Sequence, residues 1–448
     1  MQKILIANRG EIALRIIKTC KALGIETVAI YSEADEGMPF VIEADQAFLI
    51  GPPPVNQSYL NVEKIIQIAL AEKVDAIHPG YGFLSENADF ARKIHAAGII
   101  FIGPNPDTIE KMGDKIISRQ TMEKAGVPIV PGSHSGVVTV EAALALAETY
   151  GYPIMLKASG GGGGIGMVRC ETEQALKSAF TSTKSRAKAY FGSDEVFVEK
   201  CIEGSRHIEV QIFGDDKGQI VSLFERDCSI QRRHQKVIEE SPSPSLSMKT
   251  REKMLETAIK AGEAVGYKNA GTVEFIVDAD ENFYFLEMNT RLQVEHPVTE
   301  QITGIDLVEW QIDIAKGKEL PLKQSEIKSV GHAMEFRLYA EDPVTFMPSP
   351  GTISQLKWGN PDGVRIDYGY VEGSKVTPFY DPMIAKCIIT GKNREETLQK
   401  AAQFFEELEI SGIKTNAPLF VEILDDQDFS KGQYTTDFLK NKPLMKKQ

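Results

Sequence analysis

The sequence lacks the features that would send a chain outside the cell, into a membrane or onto nucleic acid. Its 448 residues hold five cysteines (Cys20, Cys170, Cys201, Cys228, Cys387), odd in number, scattered and without a C-x-x-C. That excludes a disulfide framework and suits free thiols in a reducing cytosol. No apolar run approaches the ~20 residues of a membrane helix. Arg9 and Glu11 interrupt the first apolar stretch, so the amino terminus does not read as a signal peptide. The seven histidines show no H-E-x-x-H or other zinc spacing. Lys and Arg number 50 against 63 Asp and Glu, and a formal net charge of −13 offers no basic footprint for a phosphate backbone. There is no internal repeat, coiled coil or low-complexity tail. What is present is an ordinary globular composition, 25 % charged and 42 % hydrophobic, with apolar content for real cores.

Residues 3–31 read strand, turn, helix, strand: K-I-L-I-A is apolar, N-R-G-E turns, the next dozen residues have helical period, Gly24 stops it, and T-V-A-I-Y is extended. Helices follow near 60–72 and 87–97, separated by the Gly/Pro loop H-P-G-Y-G, and I-I-F-I-G closes the run. This alternation predicts a parallel sheet with covering helices, of the kind that binds ligands at strand carboxyl ends. From about 113 the pattern becomes β-rich and mostly antiparallel, and the last third mixes short strands, turns and a helix near 394–408.

Three segments carry chemistry. From Glu287 to Glu295 the chain reads E-M-N-T-R-L-Q-V-E. If this stretch is extended, Glu287, Asn289, Arg291, Gln293 and Glu295 line one face. Upstream, T-V-E-F-I-V reads as a strand and D-A-D-E-N as its turn, which sets Glu274 opposite Glu287. Opposed carboxylates repel. An oxygen-seeking cation between them removes the conflict, and Asn289 offers a further oxygen.

The glycine run 160–164 formally contains G-x-G-x-x-G, yet a strand-like M-V-R-C follows where a dinucleotide fingerprint needs a helix. No Gly-Lys-Ser/Thr marks a Walker A loop, and no H-R-D or D-F-G marks a kinase. What remains is a loop between strands whose backbone can bend over phosphates. Lys157 precedes it at the end of an apolar strand, where an ammonium needs a counter-charge such as phosphate. The third segment, E-R-D-C-S-I-Q-R-R-H-Q-K at 225–236, is densely cationic; Arg232, Arg233, His234 and Lys236 suggest an anion pocket. The end of V-F-V-E-K-C-I could offer backbone groups to an adenine edge.

Taken together, K-I-L-I-A-N-R-G-E-I-A-L-R-I at 3–16, H-P-G-Y-G-F-L-S-E-N at 78–87, M-G-D-K at 112–115, K-A-S-G-G-G-G-G at 157–164, the 225–236 segment and E-M-N-T-R-L-Q-V-E-H-P-V-T-E at 287–300 resemble the biotin carboxylases of the ATP-grasp superfamily, in that order and over essentially the whole chain. The resemblance implies an α/β and α+β architecture: a Rossmann-like domain over 1–112, an ATP-grasp domain over 113–316 with a mobile β-rich lid near 130–203, and a C-terminal mixed domain over 317–448. It implies ATP- and bicarbonate-dependent carboxylation of biotin through carboxyphosphate, with Mg²⁺ (or Mn²⁺). Lys115 and Lys157 would bind phosphates under a loop that includes Gly162, Gly163, Gly164 and Met167. Glu199, Lys200 and Ile202 would hold adenine, and His207, Gln231 and His234 would complete the nucleotide pocket. Glu274, Glu287 and Asn289 would carry the metal. Lys236, Arg291, Gln293 and the backbone of Val294 would hold bicarbonate, with Glu295 as its base, and Arg337 would face the biotin ureido oxygen.

One position departs from the pattern: Ile165 stands where the family usually has a basic residue. The 448 residues contain no M-K-M biotinyl turn and no carboxyltransferase segment. The expected partners are therefore a separate biotin carboxyl carrier protein and a carboxyltransferase subunit, with a homodimer in the cytoplasm and no nucleic acid or membrane. A different ATP-grasp ligase would share the lid, lysines and metal hairpin, but would have no use for Arg337 or the R-L-Q-V-E set. A non-catalytic ATP-binding subunit would more readily lack Glu295 or a metal carboxylate, and all are present.

Overall fold

The computed structural model describes residues 1–159 and 166–442. Its amino-terminal sheet follows from five short, largely apolar runs, the pattern of strands covered on both faces. The strands are β1 (Lys3–Ile6), β2 (Glu26–Ser32), β3 (Gln46–Gly51), β4 (Ala76–His78) and β5 (Ile100–Phe101), all parallel, in the order β3-β2-β1-β4-β5. The order reverses between β1 and β4, so the N-R-G-E turn after β1 and the H-P-G-Y-G loop after β4 leave the sheet side by side. Asn8 ties them together: its Nδ2 donates to the carbonyls of Pro79 and Tyr81, each at 2.7 Å. Gly80 makes this approach possible, because it takes φ +63° and a Cβ there would lie 3.0 Å from Asn8 Nδ2.

A small antiparallel sheet, β7-β6-β8, follows, built from β6 (Ile154–Ala158), β7 (Met167–Cys170) and β8 (Val196–Lys200). It packs with helices Val140–Tyr150 and Glu173–Phe191 around its own apolar cluster, which includes Ile154, Leu156, Leu176, Val196 and Val198. The helix Glu173–Phe191 does not stand out in the sequence because its polar face dominates; Thr172 caps its start and Gly192 its end.

The largest sheet has eight strands: β9 (Arg206–Gly214), β10 (Ile220–Arg232), β11 (Gln235–Ser241), β12 (Asn269–Val277), β13 (Phe283–Asn289), β14 (His332–Tyr339), then Val364–Tyr368 and Met383–Gly391. Its order is β13-β12-β9-β10-β11-β14, followed by Met383–Gly391 and Val364–Tyr368, antiparallel throughout. Hydrogen bonding thus runs without a break from the β12–β13 hairpin into the last third of the chain. The expected α/β plus antiparallel class is what the molecule has. Among the described residues no helix is long and apolar enough to cross a membrane.

Candidate active site

The carboxyl ends of the parallel strands and one end of the eight-stranded sheet enclose a cavity of about 840 Å³. Its walls include Lys115, Lys157, Met167, His207, Gln231, His234, Lys236, Glu274, Glu287, Asn289, Arg291, Gln293, Val294 and Arg337. Residues spread over more than 200 positions of sequence are thereby brought to one place.

The hairpin β12–β13 sets Glu274 opposite Glu287, as expected. The route to that register is less simple. Val277 pairs with Phe283, Ile276 with Tyr284 and Phe275 with Phe285, a progression that leads to Leu286 opposite Glu274. One extra residue, Leu286, is accommodated in a bulge, and the register resumes at Glu287. Both Leu286 and Glu287 line the cavity. The two carboxylates are oxygen ligands of the type that a hard divalent cation takes, while the Asn289 amide donates from Nδ2 to Glu274 Oε1 at 2.8 Å and turns its Oδ1 to Arg291. Each acid also has cationic company. Glu287 Oε2 lies 3.1 Å from Lys115 Nζ, and Glu274 meets His207 Nε2 at 2.8 Å and Lys236 Nζ at 3.0 Å. Burial raises the Glu274 carboxyl, but Lys236 and His207 overcome this and hold it well below the usual carboxylate range.

The expected strand from Glu287 to Glu295 ends at Asn289; residues 290–295 are a loop, and a helix, His296–Thr303, starts after Glu295. Pro297 in the first turn favours that start. The polar set still converges, through hydrogen bonds and not through strand alternation. Arg291 donates from Nη2 to Asn289 Oδ1 and from Nη1 to Gln293 Oε1, both at 3.0 Å, and from Nε to Glu86 Oε2 at 2.9 Å. Gln293 Nε2 donates to Glu274 Oε1 at 3.1 Å. The Val294 carbonyl accepts from Lys386 Nζ at 2.9 Å.

Glu295 is fully buried between two cations: Lys236 Nζ is 2.6 Å from Oε1, and Arg337 Nη2 is 2.9 Å from Oε2. Burial pushes its carboxyl up, yet Lys236 and Arg337 together hold it well below the ordinary range. Lys236 also contacts Glu209 at 2.6 Å, so three carboxylates share one ammonium. Glu209 is cross-strand partner to Glu274 and binds Arg226 Nε at 2.6 Å. It passed unnoticed in H-I-E-V-Q-I-F, where an acid on an inward face of an apolar strand was the available signal. Tyr81 and Glu86 from the H-P-G-Y-G-F-L-S-E loop also line the cavity and were not singled out. Tyr81 Oη hydrogen-bonds Glu11, and Glu86 accepts from the Thr290 backbone at 3.1 Å.

Other expected residues are placed differently. The counter-charge of Lys157 is Glu199, which also pairs with Arg119; the triad is buried. Burial raises the Glu199 carboxyl, and Lys157 and Arg119 bring it below its ordinary value. Glu199, Lys200 and Ile202 are not on the cavity wall; Lys200 is exposed and its N–H donates to the Pro131 carbonyl at 2.8 Å. The cationic segment 225–236 divides. Arg233 and His234 form the two-residue turn between β10 and β11, both in the left-handed region at φ 51° and 67°. Arg232 leaves the anion pocket to pair with Glu341, its guanidinium 4.3 Å from the Phe346 ring centre. His207 Nδ1 and Gln231 Nε2 are 2.7 Å apart. Gly162, Gly163, Gly164 and Ile165 lie outside the described residues.

Comparison with known proteins gives concordant results. Sequence models match the N-terminal domain of biotin carboxylase over residues 1–109, the ATP-binding domain of carbamoyl-phosphate synthase L chain over 114–323, and the C-terminal domain of biotin carboxylase over 335–441. The chain is 56 % identical over 438 residues to biotin carboxylase 2 of Bacillus subtilis (strain 168), covering 98 % of this chain and 99 % of that protein. It is 56 % identical over 440 residues to the biotin carboxylase of Halalkalibacterium halodurans, covering 98 % and 97 %. Among solved structures, the biotin carboxylase domain dimer of Hydrogenobacter thermophilus 2-oxoglutarate carboxylase, in complex with MgADP, ADP and bicarbonate, superposes with a TM-score of 0.96 at 47 % identity, covering 99 % of this chain and 98 % of that one. A Campylobacter jejuni biotin carboxylase gives 0.97 at 45 % identity, covering 98 % and 99 %.

Proposed function

The chain belongs to the biotin carboxylase family, and from that premise we propose how its residues divide the ATP- and bicarbonate-dependent carboxylation of biotin among themselves. The observation that carries the proposal is Glu295, buried and held between Lys236 and Arg337. Bicarbonate becomes a competent nucleophile when it loses a proton, and Glu295 is the acceptor. Its carboxylate is a weak base while both cations hold it. A bicarbonate arriving against Lys236, Arg291 and Gln293 competes for Lys236 and brings its own negative charge beside Glu295, and so raises the proton affinity of Glu295 as it binds. Arg291 presents a planar fork suited to an oxyanion, braced from behind by Glu86.

The carbonate oxygen then attacks the ATP γ-phosphorus, the bond to the β,γ-bridging oxygen breaks and ADP leaves, with Lys115 and Lys157 meeting phosphate oxygens. Glu274, Glu287 and Asn289 are the residues that would hold Mg²⁺, which when bound would supply positive charge against those oxygens. Carboxyphosphate yields CO₂ and phosphate. The phosphate takes the biotin N1′ proton while Arg337 stabilises the enolate-like oxygen, a contact worth ~2.7–4 kcal/mol by analogy with single oxyanion donors. Biotin captures the CO₂ as N1′-carboxybiotin.

The cavity wall supports nucleotide roles for Lys115, Lys157, Met167, His207, Gln231 and His234. For Glu199, Lys200 and Ile202 an adenine role requires the β6–β8 sheet to approach the cavity, as expected of a lid. We retain the three-part division 1–112, 113–316 and 317–448 as a functional one. A separate carrier protein, a carboxyltransferase subunit, a homodimer and a cytoplasmic setting complete the proposal; the Hydrogenobacter thermophilus relative was solved as a dimer.

The test is phosphate release from ATP with Mg²⁺ and bicarbonate, with and without free biotin. Glu295→Ala should stop bicarbonate-dependent ATP cleavage. Arg337→Ala should spare that reaction and impair biotin carboxylation. Normal carboxylation in both variants would overturn the assignment.

A further inference from the structure

Beside Arg337 the sheet carries two acids that the mechanism above does not use. Glu239 on β11 and Glu335 on β14 are direct cross-strand partners. Such partners have Cβ atoms ~4.5–5.5 Å apart. Both residues are fully buried, and none of the four carboxylate oxygens makes a hydrogen bond. Glu239 Oε1 lies 2.5 Å from Arg337 Nη2, the nitrogen that also contacts Glu295. Arg337 sits two residues after Glu335 on the same face of β14.

The charged and titratable groups around the pair come from every neighbouring element. They include Cys228 and Arg226 on β10, Lys236 on β11, Arg337 and Tyr339 on β14, Lys386 and Cys387 on the next strand, and Glu295 and His296 at the start of the helix that packs across these strands. The cations are already engaged. Lys236 serves Glu209, Glu274 and Glu295; Arg226 serves Glu209; Lys386 bonds the Val294 carbonyl and lies 3.1 Å from Glu11. No cation contacts Glu335 among the described residues. A buried carboxylate without a counter-ion takes up a proton. Its O–H then needs an acceptor, and the carboxylate of Glu239 stands opposite.

We propose that Glu239 and Glu335 are a proton-sharing carboxyl pair that positions Arg337, with Glu335 holding the proton and Glu239 the charge. The inference rests on the biotin-directed role of Arg337 given above. In keeping with it, burial pushes the Glu239 carboxyl up to about 7 and that of Glu335 well above the carboxylate range. The pair has a specific use in the reaction. When Glu295 takes the bicarbonate proton it loses its hold on Arg337, and Glu239 remains as the anchor that keeps the guanidinium in place. A single negative charge in the pair holds Arg337 without drawing it fully into the sheet.

Two variants and a spectrum test this. Glu239→Gln should lower biotin-stimulated phosphate release at least about tenfold, as expected for loss of a buried ion pair to Arg337, and should change bicarbonate-dependent ATP cleavage without biotin by less than about threefold. Infrared spectroscopy of the wild type near pH 7 should show the C=O stretch of a buried protonated carboxylic acid, absent in Glu335→Gln. Because the folded protein keeps the Glu335 proton that the unfolded chain gives up, wild-type stability falls as pH rises above the ordinary glutamate value. Glu335→Gln should remove that fall, measured as a melting temperature that gains on the wild type from about pH 6 to 9. Identical spectra for wild type and Glu335→Gln, or wild-type biotin kinetics in Glu239→Gln, would overturn the pair. Normal carboxylation in Arg337→Ala would instead sink the biotin role of Arg337, and the spectrum would still report the shared proton.

Discussion

Two lysines line the cleft in different electrostatic company. Lys236, on β11, is held by Glu209, Glu274 and Glu295 at 2.6, 3.0 and 2.6 Å. Lys157, on β6 of the small sheet, has one carboxylate, Glu199, and that carboxylate has a second cation in Arg119. If phosphate draws Lys157 away, Glu199 stays compensated. If Lys236 is lost, three buried acids lose their shared counter-ion. The large sheet therefore holds its charge as a fixed fixture of the site, and the small sheet holds its charge as an exchangeable contact. That division fits a rigid reaction centre served by a closing nucleotide cover.

The contrast is sharpest under Lys236→Met. We expect loss of more than about 10³-fold in bicarbonate-dependent phosphate release and a destabilisation of about 3–5 kcal/mol, the scale for breaking a buried ion cluster; a variant as stable and active as wild type would erase the distinction. Glu240 provides a purely structural acid on the same large sheet. It meets His332 Nε2 and Arg394 Nε, each at 2.7 Å, and Tyr434 Oη at 2.5 Å. Burial raises it, but His332 and Arg394 bring its carboxyl from 4.5 to about 2. The depression is worth about 3 kcal/mol, fully present above the unfolded value and lost as pH falls toward the folded one. Glu240→Gln should therefore cost about that much near pH 7 in a denaturant titration and nearly nothing at about pH 2, without a selective loss of either half-reaction.

On the small sheet the effects should be kinetic. Lys157→Gln is expected to raise the Michaelis constant for ATP by about 10–100-fold, the worth of one charged hydrogen bond, with a smaller loss of unfolding free energy than Lys236→Met because Arg119 retains Glu199. A large stability loss there would place Lys157 with Lys236. The smallest effect belongs to Ile165→Arg, which should lower the Michaelis constant for ATP by roughly two- to fivefold, the range of a weak charge contact; an unchanged or raised constant would show that a basic residue at 165 is not what binding of ATP needs.

Much of this was legible in the letters. The parallel sheet showed in apolar runs punctuated by Gly and Pro, and the Glu274–Glu287 opposition in a strand, a turn and a strand. What the letters withheld was of two kinds. Glu199 and Arg232 read as groups waiting for a ligand, yet Lys157, Arg119 and Glu341 satisfy them from within the protein. Such partners lie up to 109 residues apart, beyond the reach of local pattern. Glu209 and Glu335 are single acids in largely apolar strands and Glu239 is the first of an adjacent pair, and their meaning appears when the sheet sets them beside Arg226, Lys236 and Arg337. Residues 287–295 show the converse: the periodicity suggested one extended face, and a loop anchored by side-chain hydrogen bonds achieves the same convergence.

The bulge at Leu286 adds a different kind of instruction. An unbroken period-two ribbon must send neighbouring residues to opposite sides, so it can hand the cleft an oily group or an acid from adjacent positions, never both. With one surplus residue in the ribbon, Leu286 and Glu287 arrive as a couple, one greasy and one charged. What matters at this spot is then a tally of residues between turn and acid, a quantity that no single-letter replacement can alter and that only an insertion or a deletion would disturb.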